Sequence, residues 1–162
     1  MARQLWILRH GEAEPHGARP DPERRLTERG EAQARAAGEA LGVLGVDIAA
    51  CFTSPKVRAR DTARLACPAL GVEPVEHEPL AGGFDRGEAL ALAGGFGSDQ
   101  RVLVVGHEPD LSQVIHDLTG GRVDLKKGGV AAVRLDGTRG GELLVLLRPR
   151  ELEAIARGSR AE

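Results

Sequence analysis

Short apolar runs alternate along the chain with longer alanine-rich stretches, and this alternation predicts a layered α/β domain. The strands are predicted at 4–8, 47–53, 73–76 and 101–105, followed by an antiparallel hairpin of 131–135 and 142–147 joined by a turn over 136–141. The helices are predicted at 27–44, 54–66, 86–93, 109–118 and close to the C-terminus. Loops are predicted over 14–22 and 78–83, where proline and glycine are frequent.

The run at 101–105 is the clearest strand signal in the chain. It reads Arg-Val-Leu-Val-Val, without polar alternation, which is typical of a parallel strand buried on both faces. A chain of 162 residues has room for one domain. We therefore predict a single-domain α/β fold over 1–162 with three α/β/α layers, a mostly parallel sheet, helices on both faces and a C-terminal antiparallel hairpin.

Two helix starts carry capping residues. Thr27 is a suitable N-cap for the first long helix, with Glu28 in its first turn. Ser54 is predicted to cap the second helix, with Pro55 at the first helical position.

Charge and composition exclude several classes of protein. The 22 basic and 24 acidic residues give a net charge of −2, which argues against a nucleic-acid partner or an anionic membrane surface. No apolar run approaches the roughly 20 residues of a membrane span, and the apolar run at 5–8 is too short for a signal peptide. Cys51 and Cys67 match no metal or redox spacing, so we expect buried, reduced thiols in a cytoplasmic protein. The sequence does not determine the oligomeric state, for which we expect a monomer.

Three polar clusters occupy equivalent places, each directly after a predicted strand. Arg9-His10-Gly11 follows the first strand, Ser54 to Arg58 follows the second, and Gly106-His107-Glu108-Pro109 follows the run at 101–105. Ligands of open α/β sheets bind beyond the carboxyl ends of the strands. If the strands are parallel, the three clusters meet in one crevice.

The residue types in these clusters suit a phosphoryl group. Arginine offers a fixed fork of donors that matches phosphate oxygens, and helix N-termini add backbone donors. A histidine in such a place can act as a nucleophile, a base or a donor to phosphate.

The same residues resemble the motifs of the histidine phosphatase superfamily, which is also described as phosphoglycerate-mutase-like. Leu8-Arg9-His10-Gly11, Thr53-Ser54-Pro55-x-x-Arg58-Ala59-x-x-Thr62 and Val105-Gly106-His107-Glu108-Pro109 are similar to its first, second and third motifs. Leu26-Thr27-x-x-Gly30-x-x-Gln33-Ala34 is similar to its first-helix motif. The small size and the form Arg9-His10-Gly11-Glu12-Ala13 most resemble the bacterial phosphohistidine phosphatases of SixA type.

This resemblance implies a role for each matching residue. His10 would attack phosphorus and form a phosphohistidine that water then hydrolyses, while Arg9, Arg58 and His107 would hold the non-bridging oxygens. Gly11 and Glu12, in the first motif, are included with the substrate-binding residues. The resemblance implies no metal or other cofactor, because fixed cations neutralise the phosphate.

The sequence does not identify the residue that would protonate the leaving group. Larger members of the family carry an acidic residue on a long insertion after the third strand, whereas here only 76–100 separates the third and fourth strands. The candidates are Glu12, Glu76, Glu78, Asp85 and Glu88. A missing acid matters less for a phosphoramidate, because imidazole leaves more easily than an alkoxide.

We therefore predict a phosphatase acting on protein phosphohistidine through an open pocket. The alternatives are a phosphatase of small phosphorylated metabolites or nucleotides, a phospho-recognition module without turnover, and a zinc site on His10 and His107.

Overall fold

The structure is a computed structural model, and it describes residues 3–137 and 140–160. Its sheet has six strands: β1 (Gln4–Arg9), β2 (Ile48–Thr53), β3 (Pro74–Glu76), β4 (Arg101–Gly106), β5 (Val130–Leu135) and β6 (Gly141–Leu147). The strand order is β3-β2-β4-β1-β5-β6. The first four strands are mutually parallel, whereas β5 runs antiparallel to β1 and β6 antiparallel to β5. The predicted mixed sheet with a C-terminal hairpin is confirmed, although part of its predicted turn, 138–139, lies outside the described residues.

Five α-helices surround this sheet: α1 (Glu28–Val43), α2 (Val57–Ala66), α3 (Arg86–Ala93), α4 (Asp110–Thr119) and α5 (Pro149–Arg160). Short 3-10 helices lie at Asp21–Glu23, Cys67–Leu70 and Glu78–Ala81. One therefore begins at the end of the predicted loop 14–22, and another lies within the predicted loop 78–83.

An apolar core lies on each face of the sheet, between the strands and the helices that cover them. Helices α1, α2 and α5 pack on the face that carries Trp6 and Leu8, whereas α3 and α4 pack on the face that carries Leu5 and Ile7. Strands β1 and β4 lie at the centre of the sheet and are buried on both faces, which is why residues 5–8 and 102–105 within them are all apolar. The predicted three-layer arrangement is therefore confirmed.

The prediction for the start of α2 was wrong. The helix begins at Val57 instead of Ser54-Pro55, and Lys56 occupies the capping position without a side-chain hydrogen bond. The Ser54 hydroxyl instead accepts the N–H of Lys56 at 3.1 Å and bonds with His107. The cap of α1 is as predicted, because the Thr27 hydroxyl accepts the N–H of Gly30 at 3.1 Å.

Candidate active site

The carboxyl ends of β1, β2 and β4 lie side by side, because β4 pairs with both of the others. The residues after each strand continue this pairing. The N–H of His10 donates to the carbonyl of Gly106 at 3.1 Å, and the N–H of Ser54 donates to the carbonyl of Val105 at 3.0 Å. The three polar clusters of the sequence therefore meet at one edge of the sheet.

A cavity of about 240 Å³ opens at this edge. The side chains of Arg9, His10, Arg58 and His107 all line it, whereas Gly11 and Glu12 do not. Its remaining walls are Ala13, His16, Arg24, Glu108 and Lys127. A larger cavity of about 450 Å³ lies between α2 and β3, and none of the four predicted catalytic residues lines it.

His10 is arranged as a neutral imidazole with one free nitrogen. It is 7% exposed, and its Nδ1 lies 2.7 Å from the carbonyl oxygen of Gly11. A carbonyl can only accept, so Nδ1 carries the proton and Nε2 keeps its lone pair. Burial, together with the positive charges of Arg58 and Arg9, lowers the pKa of His10 to about 3. At neutral pH the ring is therefore uncharged, and a lone pair on Nε2 has the chemistry of a nucleophile.

His107 lies next to His10, with ring centroids 5.2 Å apart. Its Nε2 is 2.7 Å from the Ser54 hydroxyl oxygen. Burial, together with His10 and Arg58, lowers its pKa to about 3 as well.

The two motif arginines are held by protein oxygens through their terminal nitrogens. Arg9 donates to the carbonyl of Leu125 at 3.0 Å. Arg58 is 5% exposed and donates to the backbone carbonyl of Asp21 at 2.8 Å and to its carboxylate at 3.3 Å. Burial lowers the pKa of both guanidinium groups.

Several buried side-chain nitrogens at this site have no hydrogen-bond partner. In residues 3–137 and 140–160, four buried side-chain nitrogens have no hydrogen-bond partner: Nε of Arg9, Nε of Arg58, Nδ1 of His107 and Nε2 of His77. Three of these four belong to residues that line the cavity. Buried donors without acceptors are rare, and an oxyanion in the cavity would supply the missing acceptors.

The loop before α1 contributes residues that the sequence analysis missed. Arg24 is 8% exposed and donates to the carbonyl of Glu14 at 2.7 Å and to the carboxylate of Asp21 at 3.1 Å. Its neighbour Arg25 is exposed. No local pattern distinguishes the two arginines, because their different burial depends on how the loop folds over the cavity.

The carboxylate of Asp21, in this loop, forms ion pairs with three basic side chains. Its carboxylate lies 3.3 Å from Arg58, 3.4 Å from Lys56 and 3.1 Å from Arg24. Partial desolvation raises its pKa, but these cations outweigh that effect and lower the pKa to about 2. Asp21 is therefore ionised at neutral pH and does not act as a proton donor.

None of the five predicted proton donors lines the cavity. The Glu12 carboxylate accepts the Thr27 hydroxyl at 2.8 Å, and Asp85 caps α3 by accepting the N–H of Glu88 at 2.9 Å. Glu88 itself lies 3.9 Å from His77. Glu76 lines the larger cavity, and Glu78 is exposed at the start of a 3-10 helix.

The carboxylate that does line the cavity is Glu108. It accepts the Ser112 N–H at 2.8 Å and also the Ser112 hydroxyl, at the start of α4. Glu108 belongs to the third motif of the sequence, but that motif predicts no role for its carboxylate.

Side chains of helices α1 and α2 hold the backbone of the loop that follows His10. The N–H of Gly11 donates to the Thr62 hydroxyl at 3.1 Å, and that hydroxyl donates to the Arg58 carbonyl at 2.7 Å. The N–H of Glu12 donates to the Gln33 side chain at 2.8 Å. Thr62 and Gln33, both in motifs of the sequence, thus position the backbone that follows His10.

In the described part of the chain, no group of three or more histidine, cysteine, aspartate or glutamate residues is placed to hold a metal ion. Within the same residues, no helix is both long enough and apolar enough to cross a lipid bilayer.

Comparisons with known proteins agree with this geometry. Residues 5–84 match the model of the histidine phosphatase superfamily (branch 1). An uncharacterized protein of Picosynechococcus sp. is 32% identical, over 92% of this chain and 98% of that protein. A 2,3-bisphosphoglycerate-dependent phosphoglycerate mutase of Methylobacterium sp. is 44% identical in an alignment of 77 positions that covers 44% of this chain and 36% of the mutase.

Among solved structures, the protein histidine phosphatase SixA complexed with tungstate superposes with a TM-score of 0.81. The sequences are 26% identical, and the match covers 92% of this chain and 99% of SixA. The fold, the meeting of the motif residues at one sheet edge and the family match lead to the same conclusion: the chain belongs to the histidine phosphatase superfamily, with a SixA-like structure.

Proposed function

We propose that this protein is a metal-independent phosphatase that removes the phosphoryl group from phosphohistidine on other proteins. The observation that carries the proposal is the state of His10, whose proton is held on Nδ1 by Gly11 while Nε2 is free in a cavity lined by cations.

The reaction follows from this geometry in two steps. First, Nε2 of His10 attacks phosphorus, the bond from phosphorus to the leaving nitrogen breaks, and the phosphoryl group becomes bonded to His10. The leaving imidazole nitrogen keeps the electron pair of the broken bond and takes a proton from solvent in the open cavity. Arg9, Arg58 and His107 stabilise the charge on its oxygens. Water then attacks phosphorus, releases inorganic phosphate and regenerates His10.

Two features favour a phosphohistidine substrate. Glu108 is the one carboxylate among the cavity-lining residues, and it already accepts two hydrogen bonds from Ser112, so strong acid assistance to the leaving group is not built in. An imidazole leaving group needs less assistance than an alkoxide. In addition, no residue of 76–100 lines the cavity, because α3 packs against α4 instead. This leaves the cavity without a cover from that segment, as a side chain on a folded partner requires.

A small phosphate ester is the second candidate, and the stretch shared with a phosphoglycerate mutase supports it. The buried, free thiols of Cys51 and Cys67 support a reducing compartment such as the cytoplasm for either substrate.

The test offers the purified protein a phosphohistidine protein and a panel of sugar, glycerate and nucleotide phosphates, with and without EDTA. We expect the fastest turnover on phosphohistidine, no effect of EDTA, and acid-labile phosphate trapped on the protein after rapid quenching. His10→Ala should abolish turnover and trapping. His116→Ala is the matched control, because His116 is exposed on α4, outside the cavity.

Each part of the proposal can fail separately. Faster turnover of a small phosphomonoester would refute the substrate, and a fully active His10→Ala variant would refute the covalent mechanism. Phosphate binding without any turnover would instead identify a recognition module.

A further inference from the structure

Ser54 is the motif residue whose predicted role the structure overturned. It follows β2, is completely buried, and does not cap α2. Its hydroxyl oxygen has two neighbours: the backbone N–H of Lys56 at 3.1 Å and Nε2 of His107 at 2.7 Å.

The hydrogen-bonding capacity of a hydroxyl limits what these contacts can be. A serine hydroxyl donates one hydrogen and accepts through two lone pairs, and the Lys56 N–H must use one of those lone pairs. The contact with His107 then has two forms: either Ser54 donates to Nε2, or a protonated Nε2 donates to Ser54.

The first form leaves fewer buried groups without a partner. If Nε2 donated, the Ser54 hydrogen would have no acceptor at a completely buried position, and Nδ1 of His107 would present a lone pair to any bound oxyanion. If Ser54 donates, its hydrogen is used, Nε2 accepts, and the proton of the neutral ring sits on Nδ1. Nδ1 is also the ring nitrogen that has no partner in the protein.

We propose that Ser54 is a positioning residue that holds His107 as the Nδ1–H tautomer, so that Nδ1–H donates to a phosphoryl oxygen. The proposal rests on the proposed function for the identity of the ligand. The two neighbouring imidazoles then carry their proton on the same atom but leave opposite nitrogens without a protein partner. His10 gives its Nδ1–H to the Gly11 carbonyl and keeps a lone pair on Nε2 for attack, whereas His107 uses Nε2 on Ser54 and keeps an unpaired Nδ1–H for stabilisation.

The direct test is the ¹⁵N NMR spectrum of the histidine ring nitrogens at neutral pH, in the ligand-free protein. We expect Nδ1 of His107 at the shift of a protonated ring nitrogen and Nε2 at that of an unprotonated one. The opposite assignment in the wild-type protein would overturn the proposal, and this measurement does not depend on activity or on the stability of any variant.

Variants test the consequence. Ser54→Ala should give a mixture of His107 tautomers and lower kcat about 10- to 100-fold, with a smaller change in KM. Ser54→Thr keeps the hydroxyl and should restore both the tautomer and most of kcat. Ser98→Ala, at an exposed loop position, is the control. Full retention of the Nδ1–H tautomer and of kcat in Ser54→Ala would overturn the proposal.

Turnover is measured with both p-nitrophenyl phosphate and phosphohistidine. The two substrates distinguish a failure of the proposed function from a failure of the proposed role of Ser54. If phosphohistidine is not a substrate, the proposed function is wrong, while the tautomer assignment and the loss of kcat on p-nitrophenyl phosphate would still support the role of Ser54.

Discussion

A substitution at Gly30 tests how closely helix α1 must approach the loop that follows His10. Gly30 lies in the first turn of α1, and a Cβ atom there would come within 1.9 Å of the Glu12 carbonyl oxygen. Carbon and oxygen normally stay about 3.3 Å apart, so Gly30→Ala requires a displacement of about 1.4 Å. The same carbonyl accepts the N–H of Thr27 at 3.0 Å, so the displacement also disturbs that hydrogen bond.

The expected magnitudes follow from these contacts. Overpacking costs about 1–3 kcal/mol and the weakened hydrogen bond about 1 kcal/mol, whereas alanine in a helix recovers about 1 kcal/mol. We expect the free energy of unfolding to fall by about 2 kcal/mol and Tm by roughly 4–8 °C. Because Glu12 is two residues from His10, a shift of about 1 Å should also lower kcat by about 100-fold.

The assays are urea unfolding followed by circular dichroism, and phosphatase turnover of the folded variant. Gly42→Ala in the same helix is the matched control, since its added Cβ would meet nothing closer than the Ala69 carbonyl at 3.4 Å. We expect the control to keep wild-type kcat and to gain up to about 1 kcal/mol of stability. If Gly30→Ala behaves like Gly42→Ala, the close approach does not position the loop and the reasoning is wrong.

Three other predictions concern charge at the site. The pKa values of His10 and His107 fall from 6.5 to about 3 on folding, so the unfolded chain binds more protons between these pH values, and stability should fall as the pH drops below about 6.5, by up to about 1.4 kcal/mol per pH unit for each histidine. Urea unfolding across this range measures the slope, which should be smaller in His10→Asn; a stability that stays constant down to about pH 4 would contradict the assignment. Because strong acid assistance is not built in, Glu108→Gln should change the turnover of phosphohistidine and of p-nitrophenyl phosphate, whose leaving group needs no proton, by less than about 10-fold; a loss of about 100-fold on phosphohistidine alone would show that Glu108 protonates the leaving group. Asp21→Asn removes the ion pairs with Arg24, Lys56 and Arg58 and should lower the free energy of unfolding by about 1 kcal/mol; the loss is small because the carboxylate is partly exposed and screened by solvent. Urea unfolding at low and high ionic strength measures this loss, which should be smaller in high salt.

Much of the fold could be predicted because it depends on local patterns. The apolar runs of β1 and β4 predict strands buried on both faces, and Thr27 caps α1 as its sequence context indicates. The meeting of His10, Arg58 and His107 also followed from the sequence, since the ends of parallel strands share one edge of the sheet.

The roles of several polar residues could not be predicted in this way. Ser54 has the local sequence of a helix cap, yet it bonds with His107, 53 positions away. Glu12 is the acid nearest to His10 in sequence, but its carboxylate binds Thr27, whereas Glu108 lines the cavity.

The sequence by itself determined most of the secondary structure, the order of the motifs and the chemical character of the site, because hydrophobic periodicity and residue type act over a few neighbouring positions. The tertiary structure alone decided which arginine of the Arg24-Arg25 pair is buried, which anion holds Arg58, and which ring nitrogen each histidine leaves free. These outcomes depend on hydrogen bonds between residues that the fold brings together from distant parts of the chain, and in a buried site each donor takes the acceptor that packing places within reach.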